Sequence, residues 1–253
     1  MDVDQLARDI DADLRERGTP DRALHEKAYL KSALHHYGTS VPAIRAVAKE
    51  AAARNPTLLH DELTALAGSL WASGVHECRM TTVELLDIYV EQLEPSDAAL
   101  IERFLRESRT WALVDGLSAS VMGRLVERLP ELGTVLDRWV VDDDFWIRRA
   151  ALLALLVALR RGDGDFERFA GYADTMLDER EFFIRKAIGW VLRDTARRRP
   201  DLVYQWLLPR VGRASSVTIR EAVKPMSEAQ RGAILAASSV RGRISAGGTA
   251  AQR

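Results

Sequence analysis

The chain has 253 residues, of which 47% are hydrophobic and 29% are charged, enough for a large core in one elongated domain or two small ones. A single cysteine, Cys78, excludes an internal disulfide framework and a zinc site built from several cysteines. The acidic amino terminus lacks the apolar stretch of a signal peptide, and no run approaches the roughly 20 apolar residues of a membrane span. These features predict a soluble, cytoplasmic protein.

The charge is distributed unevenly, although the formal net charge is only -1. Residues 1–100 contain 10 Lys or Arg against 17 Asp or Glu, whereas residues 145–225 contain 16 against 10. This asymmetry predicts a polyanion-binding surface on the later part of the chain. Ordinary solvated helix faces account for the same counts equally well, so charge alone does not decide.

Helical signals begin at the amino terminus. Apolar residues recur at helical spacing over residues 1–17, and Gly18-Thr-Pro-Asp21 ends that helix. Further helices are predicted over residues 22–36, 43–54 and 57–73. Before the second of these, Gly38 suits a left-handed cap and Ser40 an N-cap, with Pro42 in the first turn.

A segment that starts an apolar helix recurs along the chain. Its starts are separated by 35, 35, 35, 37 and 35 residues, at Val41, His76, Trp111, Trp146, Phe183 and Thr218. Second helical segments follow in the four complete later units, over residues 100–106, 132–140, 166–177 and 200–208. The period predicts paired-helix repeats stacked into an all-α, curved solenoid. We predict one repeat domain over residues 1–240 and a disordered tail over residues 241–253.

In such a solenoid the first helices of successive repeats lie side by side. Basic residues follow the aromatic starts and would form a ladder on one concave surface, able to hold a phosphate backbone: Arg148, Arg149, Arg185, Lys186, Arg220 and Lys224. Because Arg148 and Arg149 are adjacent, they point to different sides. One is expected to form an intramolecular ion pair and the other to bind phosphate.

Trp111 and Asp115 lie four residues apart and therefore share one helix face. In a basic, aromatic-lined cleft, Asp115 would stay ionised and stabilise a developing cation or orient a water molecule. A structural ion pair with a neighbouring Arg is the commoner role for such a residue. Trp111 and Trp190 are either core aromatics or indole faces that flank a sugar or a base.

The histidines and the cysteine do not indicate a metal site. His35-His36 has no carboxylate or cysteine at ligand spacing, and His76-Glu77 is not followed by a second His one turn later. Cys78 lies near the start of an apolar helix and is expected to be buried and inert.

Several motifs together resemble the AlkD-type DNA alkylation-repair glycosylases. They occur in order and at the right separations, as Trp111-Ala-Leu-Val-Asp115, Trp146-Ile-Arg-Arg-Ala-Ala151, Phe182-Phe-Ile-Arg-Lys-Ala-Ile-Gly-Trp-Val-Leu-Arg193 and Arg220-Glu-Ala-Val-Lys224. Tyr29-Leu-Lys31 and Tyr37-Gly-Thr-Ser-Val-Pro42 also fit. The resemblance runs from about residue 24 to 226 and is most specific in the string that ends Ala-Ile-Gly-Trp-Val-Leu-Arg193.

The resemblance implies a HEAT-like α-solenoid whose concave face holds duplex DNA, and hydrolysis of the N-glycosidic bond of a cationic N3- or N7-alkylated purine. It implies catalytic roles for Trp111, Asp115, Arg149 and Trp190. Contacts to the sugar and backbone, without base flipping, would tolerate bulky adducts. The DNA-binding residues that we predict are Tyr29, Lys31, Arg148, Arg185, Lys186, Arg193, Arg220 and Lys224. No cofactor or metal is predicted, and the protein is expected to be a monomer whose partner is double-stranded DNA with alkylated purines.

Three hypotheses remain at this point. The chain is either such an enzyme, a non-catalytic DNA-binding relative of the same fold, or a protein–protein adaptor. The basic later half favours the two DNA-binding hypotheses, and the presence of all four catalytic positions favours the enzyme. A narrower hypothesis, self-resistance to a bulky DNA-alkylating metabolite, has no test in the sequence.

Overall fold

The computed structural model describes residues 2–247, with side chains described as far as residue 239. The predicted all-α class is confirmed, because no strand occurs among these residues, where one isolated bridge joins His35 and Val75. Within this part of the chain, none of the helices combines the length and the apolar character needed to cross a lipid bilayer.

The chain divides into two compact units, Met1–Val135 and Leu136–Arg253, and each is described by itself. The single domain predicted over residues 1–240 stays a prediction. The first unit contains the helices α1 (Val3–Glu16), α2 (Pro20–Leu30), α3 (Val41–Arg54), α4 (His60–Ala72), α5 (His76–Ile88), α6 (Ala98–Ser108), α7 (Trp111–Gly116) and α8 (Gly123–Arg128). The boundary falls within α9 (Gly133–Trp139).

The second unit contains the remaining helices: α10 (Phe145–Leu153), α11 (Leu156–Arg161), α12 (Phe166–Met176), α13 (Phe182–Ala196), α14 (Pro200–Leu207), α15 (Ser216–Ala222) and α16 (Glu228–Gly247). The six helices α3, α5, α7, α10, α13 and α15 begin at or just before the six starts predicted from the repeat. The predicted second segments correspond to α6, α9, α12 and α14. The repeat of about 35 residues is therefore a repeat of helix pairs.

Local signals explain where these helices begin. The Ser40 side chain accepts a hydrogen bond from the Ala43 N–H and caps α3, with Pro42 in the first turn. Gly38 has a φ of 79°, the left-handed conformation predicted for it. The side chains of the acidic caps Asp144 and Glu181 accept hydrogen bonds from backbone N–H groups at the starts of α10 and α13.

The second predicted helix is shorter than the sequence indicates. α2 ends at Leu30, where Lys31 takes the left-handed conformation at φ 50°, so the helix predicted to continue to residue 36 was wrong over its last turn and a half. The backbone instead pairs with the segment before α5: the His35 N–H donates to the Gly74 carbonyl at 3.0 Å, and the His76 N–H donates to the His35 carbonyl at 2.9 Å. This tertiary pairing outweighs the local helix propensity.

Each unit has its own core under the side-by-side first helices. In the first unit α3 packs against α5, and α5 against α7, with α4 and α6 behind them. In the second unit α13 packs against α10, α11, α14 and α15 through fully buried residues such as Ile184 and Val191. Burying one such side chain stabilises the fold by roughly 1.5–3 kcal/mol.

The last helix extends regular structure past the predicted start of the tail. α16 covers residues 241–247, which the sequence predicts to be disordered from their Gly, Ser and Ala content. The first part of the predicted tail is therefore helical backbone in the structure. The rest of it, residues 248–253, lies outside the described residues.

Helix α13 approaches α15 so closely that only glycine fits at position 189. A Cβ atom on Gly189 would lie 2.9 Å from the Glu221 Cβ and 3.1 Å from both the Thr218 Cα and the Thr218 carbonyl oxygen. Backbone atoms cannot move aside as the end of a side chain can. We predict that Gly189→Ala lowers the free energy of unfolding by about 1–3 kcal/mol, measured by urea denaturation of the whole chain.

The matched control is Gly171→Ala, because Gly171 is exposed within α12 and an added Cβ would meet nothing within 4 Å. That variant should be as stable as the native chain or more stable by up to about 1 kcal/mol, since alanine favours the helix. Equal effects of the two substitutions would contradict the close packing.

Candidate active site

Helix α7 holds Trp111 and Asp115 at the margin of the first unit's core. Leu113 and Val114 are completely buried and anchor the helix, whereas Trp111 and Asp115, one turn apart, are both half-buried. The predicted sharing of one helix face is therefore realised, with an indole and a carboxylate together at the edge of the core.

Tyr29, from α2, lies against this face. Its side chain is 67% exposed, and its ring meets the Trp111 ring edge-on, with the ring centroids 6.0 Å apart and the planes at 88°. Edge-to-face pairs of this kind contribute about 0.5–1.5 kcal/mol beyond the area they bury. Lys31, at the end of α2, is exposed. An exposed tyrosine, an indole and a carboxylate thus lie on neighbouring parts of one surface of the first unit.

The helix changes its hydrogen-bonding pattern directly after this pair. Leu117–Met122 forms a π-helical segment, a rare arrangement that often occurs at functional sites. Just before it, a Cβ on Gly116 would lie 2.8 Å from Val83 Cγ1, so α7 rests closely on α5. No motif in the sequence indicates the π-helical segment.

A cleft of about 470 Å³ lies beside α7 and is lined by residues of α3, α5 and α7. Ala112, Gly116 and Ser120 line it from one side, with Arg45 and Lys49 of α3 across from them. Arg45 donates from Nε to Glu84 at 3.0 Å, and Lys49 is exposed. The sequence prediction named neither residue, although Lys49 follows Arg45 by one helical turn.

In the second unit, Arg149 is held in the interior of the protein. Only 4% of it is exposed, its Nη1 donates to the Phe183 carbonyl at 2.5 Å, and its guanidinium carbon lies 5.8 Å from the centre of the Phe183 ring. Arg149 therefore joins α10 to the start of α13. A phosphate ligand needs an accessible guanidinium, and the sequence predicted that role for one residue of this arginine pair. The Arg149 side chain is buried instead.

The neighbouring Arg148 is the intramolecular ion-pair partner that the adjacent pair was expected to contain. It forms two parallel hydrogen bonds with Glu179, from Nε at 3.0 Å and from Nη2 at 2.8 Å. Its Nη1 donates to the carbonyls of Asp142 and Asp143. These contacts use N–H donors along the edges of the planar guanidinium and fix the loop before α10.

Trp190 is half-buried on α13, and its indole N–H donates to Asp194 at 3.1 Å. Asp194 is almost fully buried and also accepts from Arg160 at 2.8 Å and from Arg193 at 3.2 Å. The sequence analysis missed Asp194, although Trp190 and Asp194 have the same spacing as Trp111 and Asp115. The indole orientation of Trp190 is thus set by a carboxylate that is itself held by two arginines.

Much of the predicted basic ladder is paired with acidic groups. Glu221 binds Lys186 at 3.2 Å, Arg193 at 2.5 Å and Lys224 at 2.9 Å. Burial alone would raise the pKa of Glu221, but the hydrogen bonds from Lys224 and Lys186 outweigh it and lower the pKa to about 2.

The remaining residues of the basic ladder, Arg185 and Arg220, differ in their contacts. Arg185 donates from Nε to the Glu179 carbonyl at 2.7 Å. Arg220 is exposed and has no ion pair within residues 2–239. A cleft of about 480 Å³ is lined by Arg193, Arg197, Lys224 and Pro225, so cations surround it. Arg197 was not among the predicted DNA-binding residues.

Comparison with known proteins places the chain in one family. Residues 10–226 match the family model described as DNA alkylation repair enzyme. No curated protein matches the chain significantly. The resemblance found in the sequence motifs is therefore confirmed at the level of the family.

Three solved structures share the fold. A predicted DNA alkylation repair enzyme from Enterococcus faecalis is 22% identical, with a TM-score of 0.76 over 84% of this chain and 98% of that chain. AlkD2 from Streptococcus mutans is 15% identical, with a TM-score of 0.57 over 81% and 97%. The protein smu.31 from Streptococcus mutans UA159 is 16% identical, with a TM-score of 0.53 over 87% and 96%. At these identities the likeness shows the fold alone.

The ion pairs of Glu221 generate a pH prediction. The carboxyl has a lower pKa in the folded chain than in the unfolded one, so its contribution to stability is complete above about pH 4.5 and is lost as the pH falls through about 2. Glu221→Gln should therefore destabilise the chain at pH 7, and its difference from the native chain should shrink below pH 4.5.

Urea unfolding at pH 7, 4 and 3 measures this difference. Glu167→Gln is the control, because Glu167 is exposed on α12 and has no ion pair among the described side chains. A Glu221→Gln deficit that stays constant over this range would show that the ion pairs do not stabilise the fold.

Proposed function

Because the chain belongs to the DNA alkylation repair enzyme family, we propose that it is a DNA glycosylase. Its reaction is hydrolysis of the N-glycosidic bond of cationic N3- or N7-alkylated purines in duplex DNA. The observation that carries the proposal is the pairing of Asp115 with Trp111 on one half-exposed face, with the Tyr29 ring against the indole.

The chemistry requires little from an acid catalyst. An alkylated purine already carries a positive charge, so the bond between its ring nitrogen and C1′ breaks with the electron pair going to the base, which leaves neutral. The sugar then carries the positive charge as an oxocarbenium-like species. Water adds to C1′ and loses a proton, and the products are the free base and an abasic site.

Asp115 would stabilise the developing cation on the sugar and accept a hydrogen bond from the attacking water. A fixed negative charge aimed at a developing positive charge is worth more at a partly desolvated site than in water. Asp115 sits on an anchored helix, between completely buried Val114 and closely packed Gly116, so its backbone is held in place. This arrangement suits electrostatic stabilisation, which depends on groups that do not have to move.

Aromatic faces would support the same charge. The negative face of an indole attracts a cation within about 6 Å, by roughly 0.5–2 kcal/mol. Trp111 supplies such a face one helical turn from Asp115 in the first unit, and a role for Trp190 at the sugar stays a prediction from the family resemblance. The Trp190 ring is oriented by its hydrogen bond to Asp194. The Tyr29 ring would hold the Trp111 indole in place.

The proposal revises the role of one basic residue, Arg149, and keeps that of the exposed cations. Arg149 is buried and bonded to the Phe183 carbonyl, so we assign it to positioning α13 and its Trp190. Exposed cations such as Lys31 and Arg220 suit contacts with DNA phosphates, because neither forms an ion pair among the described side chains. Contacts to sugar and phosphate need no pocket around the base, so bulky adducts would be substrates as well.

The test compares Asp115→Asn with the native chain on duplexes that contain 7-methylguanine, 3-methyladenine or a bulky N7-alkylguanine. Single-turnover release of the free base should fall at least about 100-fold in the variant, because one charge-stabilising group is lost. Duplex affinity should change only a few-fold. The matched control is Asp61→Asn, since the Asp61 side chain is fully exposed on α4.

The native chain also separates the alternatives. Salt-dependent duplex binding without base release would establish a non-catalytic DNA-binding protein. An absence of duplex binding at moderate salt would leave the adaptor. Release by Asp115→Asn at the native rate would remove the catalytic assignment while leaving the glycosylase activity, and release of the bulky adduct alone would support the narrower self-resistance role.

A further inference from the structure

Three side chains from separate parts of the first unit meet beside α2. They are Glu26 of α2, His36 of the segment between α2 and α3, and Glu77 of α5, and their ligand atoms all lie within 4.8 Å of one another. The sequence indicates no metal site at His36, because the two carboxylates come from distant positions in the chain. The fold brings them together.

His36 is a buried imidazole without hydrogen bonds. It is 5% exposed, and neither Nδ1 nor Nε2 has a partner among the described residues. Its ring stacks on His76, with the centroids 4.5 Å apart and the planes at 13°. Leaving a buried polar atom unpaired costs about 1–3 kcal/mol, so a ring with two such nitrogens favours a ligand that binds one of them.

Both carboxylates keep unused binding capacity. The Glu77 side chain is completely buried, and its Oε1 accepts the N–H groups of Tyr37 at 3.0 Å, Gly38 at 2.7 Å and Thr39 at 3.3 Å. Among the described residues, its Oε2 accepts only from the Tyr37 N–H, at 3.0 Å. In Glu26, Oε1 binds Arg22 at 2.5 Å, and Oε2 has no partner within residues 2–239. Each carboxylate can therefore offer one oxygen.

The charges favour a cation at this place. An imidazole nitrogen binds a metal through its lone pair, and the ligand atoms of Glu26, His36 and Glu77 all lie within 4.8 Å of one another. Two carboxylates this close repel each other, and Arg22 offsets the charge of Glu26 alone among the described residues. A divalent cation balances the charge of the two carboxylates and accepts the lone pair of a His36 ring nitrogen.

We propose that Glu26, His36 and Glu77 bind one divalent transition-metal cation, which fixes α2 to α5. One nitrogen and two carboxylate oxygens, with water completing the coordination, suit Zn²⁺. Zinc bonds of about 2.0–2.2 Å require the donors to close to roughly 3.3–3.5 Å. α2 can make this small movement because none of its residues is buried.

The cation would also position Tyr29. Glu26 and Tyr29 are three residues apart on α2 and share a helix face, and Tyr29 contacts Trp111. Fixing Glu26 to α5 therefore fixes the ring that lies against the indole. This inference does not rest on the proposed function, because binding and stability report it without any base release.

The experiment is a calorimetric titration of the full chain, free of affinity tags and stripped with chelator, with Zn²⁺. The variants are Glu26→Gln and His36→Gln, and the matched control is His35→Gln, whose histidine is adjacent but exposed. The native chain and His35→Gln should bind one equivalent and gain thermal stability with Zn²⁺. Both other variants should bind at least about 10-fold more weakly, and Mg²⁺ should not compete, because it avoids imidazole.

The proposal is overturned if the native chain does not bind Zn²⁺, if Glu26→Gln binds as tightly as the native chain, or if His35→Gln loses binding. Glu26 is half-buried on a helix without buried residues, so its substitution tests the site even if His36→Gln fails to fold. Far-ultraviolet circular dichroism of each variant identifies such a failure.

Discussion

The side-by-side packing of the first helices of successive repeats is the constraint on which the candidate site depends. It brings α7 so close to α5, and α13 so close to α15, that there is no room for a Cβ atom on Gly116 or Gly189. Successive residues of a helix point about 100° apart. Asp115 and Trp190, each next to one of these glycines, therefore leave the helix in a different direction from the glycine contact, and both are half-buried. Packing and chemistry are thus linked at adjacent residues.

The repeat could be predicted from the sequence because it reflects backbone geometry. Regular spacing of aromatic and apolar starts gave the first helices, and short-range signals such as Gly38 and Ser40 gave the start of α3. The residues around His35 escaped prediction because their backbone pairs with a segment far along the chain. The π-helical segment after Gly116 has no local sequence signal at all.

The sequence predicted that Trp111 and Asp115 share one helix face, but it did not predict which acidic residues pair with the basic ones. The spacing of Trp111 and Asp115 gave their common face, which the structure has. The pairing of the basic ladder was hidden, because the acidic partners Glu179 and Glu221 come from the next loop or helix. The same reason hid the cluster of Glu26, His36 and Glu77: a ligand set assembled from three elements leaves no spacing pattern. These tertiary contacts place basic residues that were predicted to bind phosphate in ion pairs within the protein, and their contact with DNA stays a prediction.

The central claim is that Asp115 stabilises a positive charge on the sugar of DNA. Its most direct test is equilibrium binding, at one salt concentration, of two duplexes that differ only in one residue: a cationic pyrrolidine sugar mimic or a neutral tetrahydrofuran ring. The native chain should prefer the cationic duplex by at least about tenfold, or roughly 1.4 kcal/mol, and Asp115→Asn should show no preference. An equal preference in both proteins would contradict the claim.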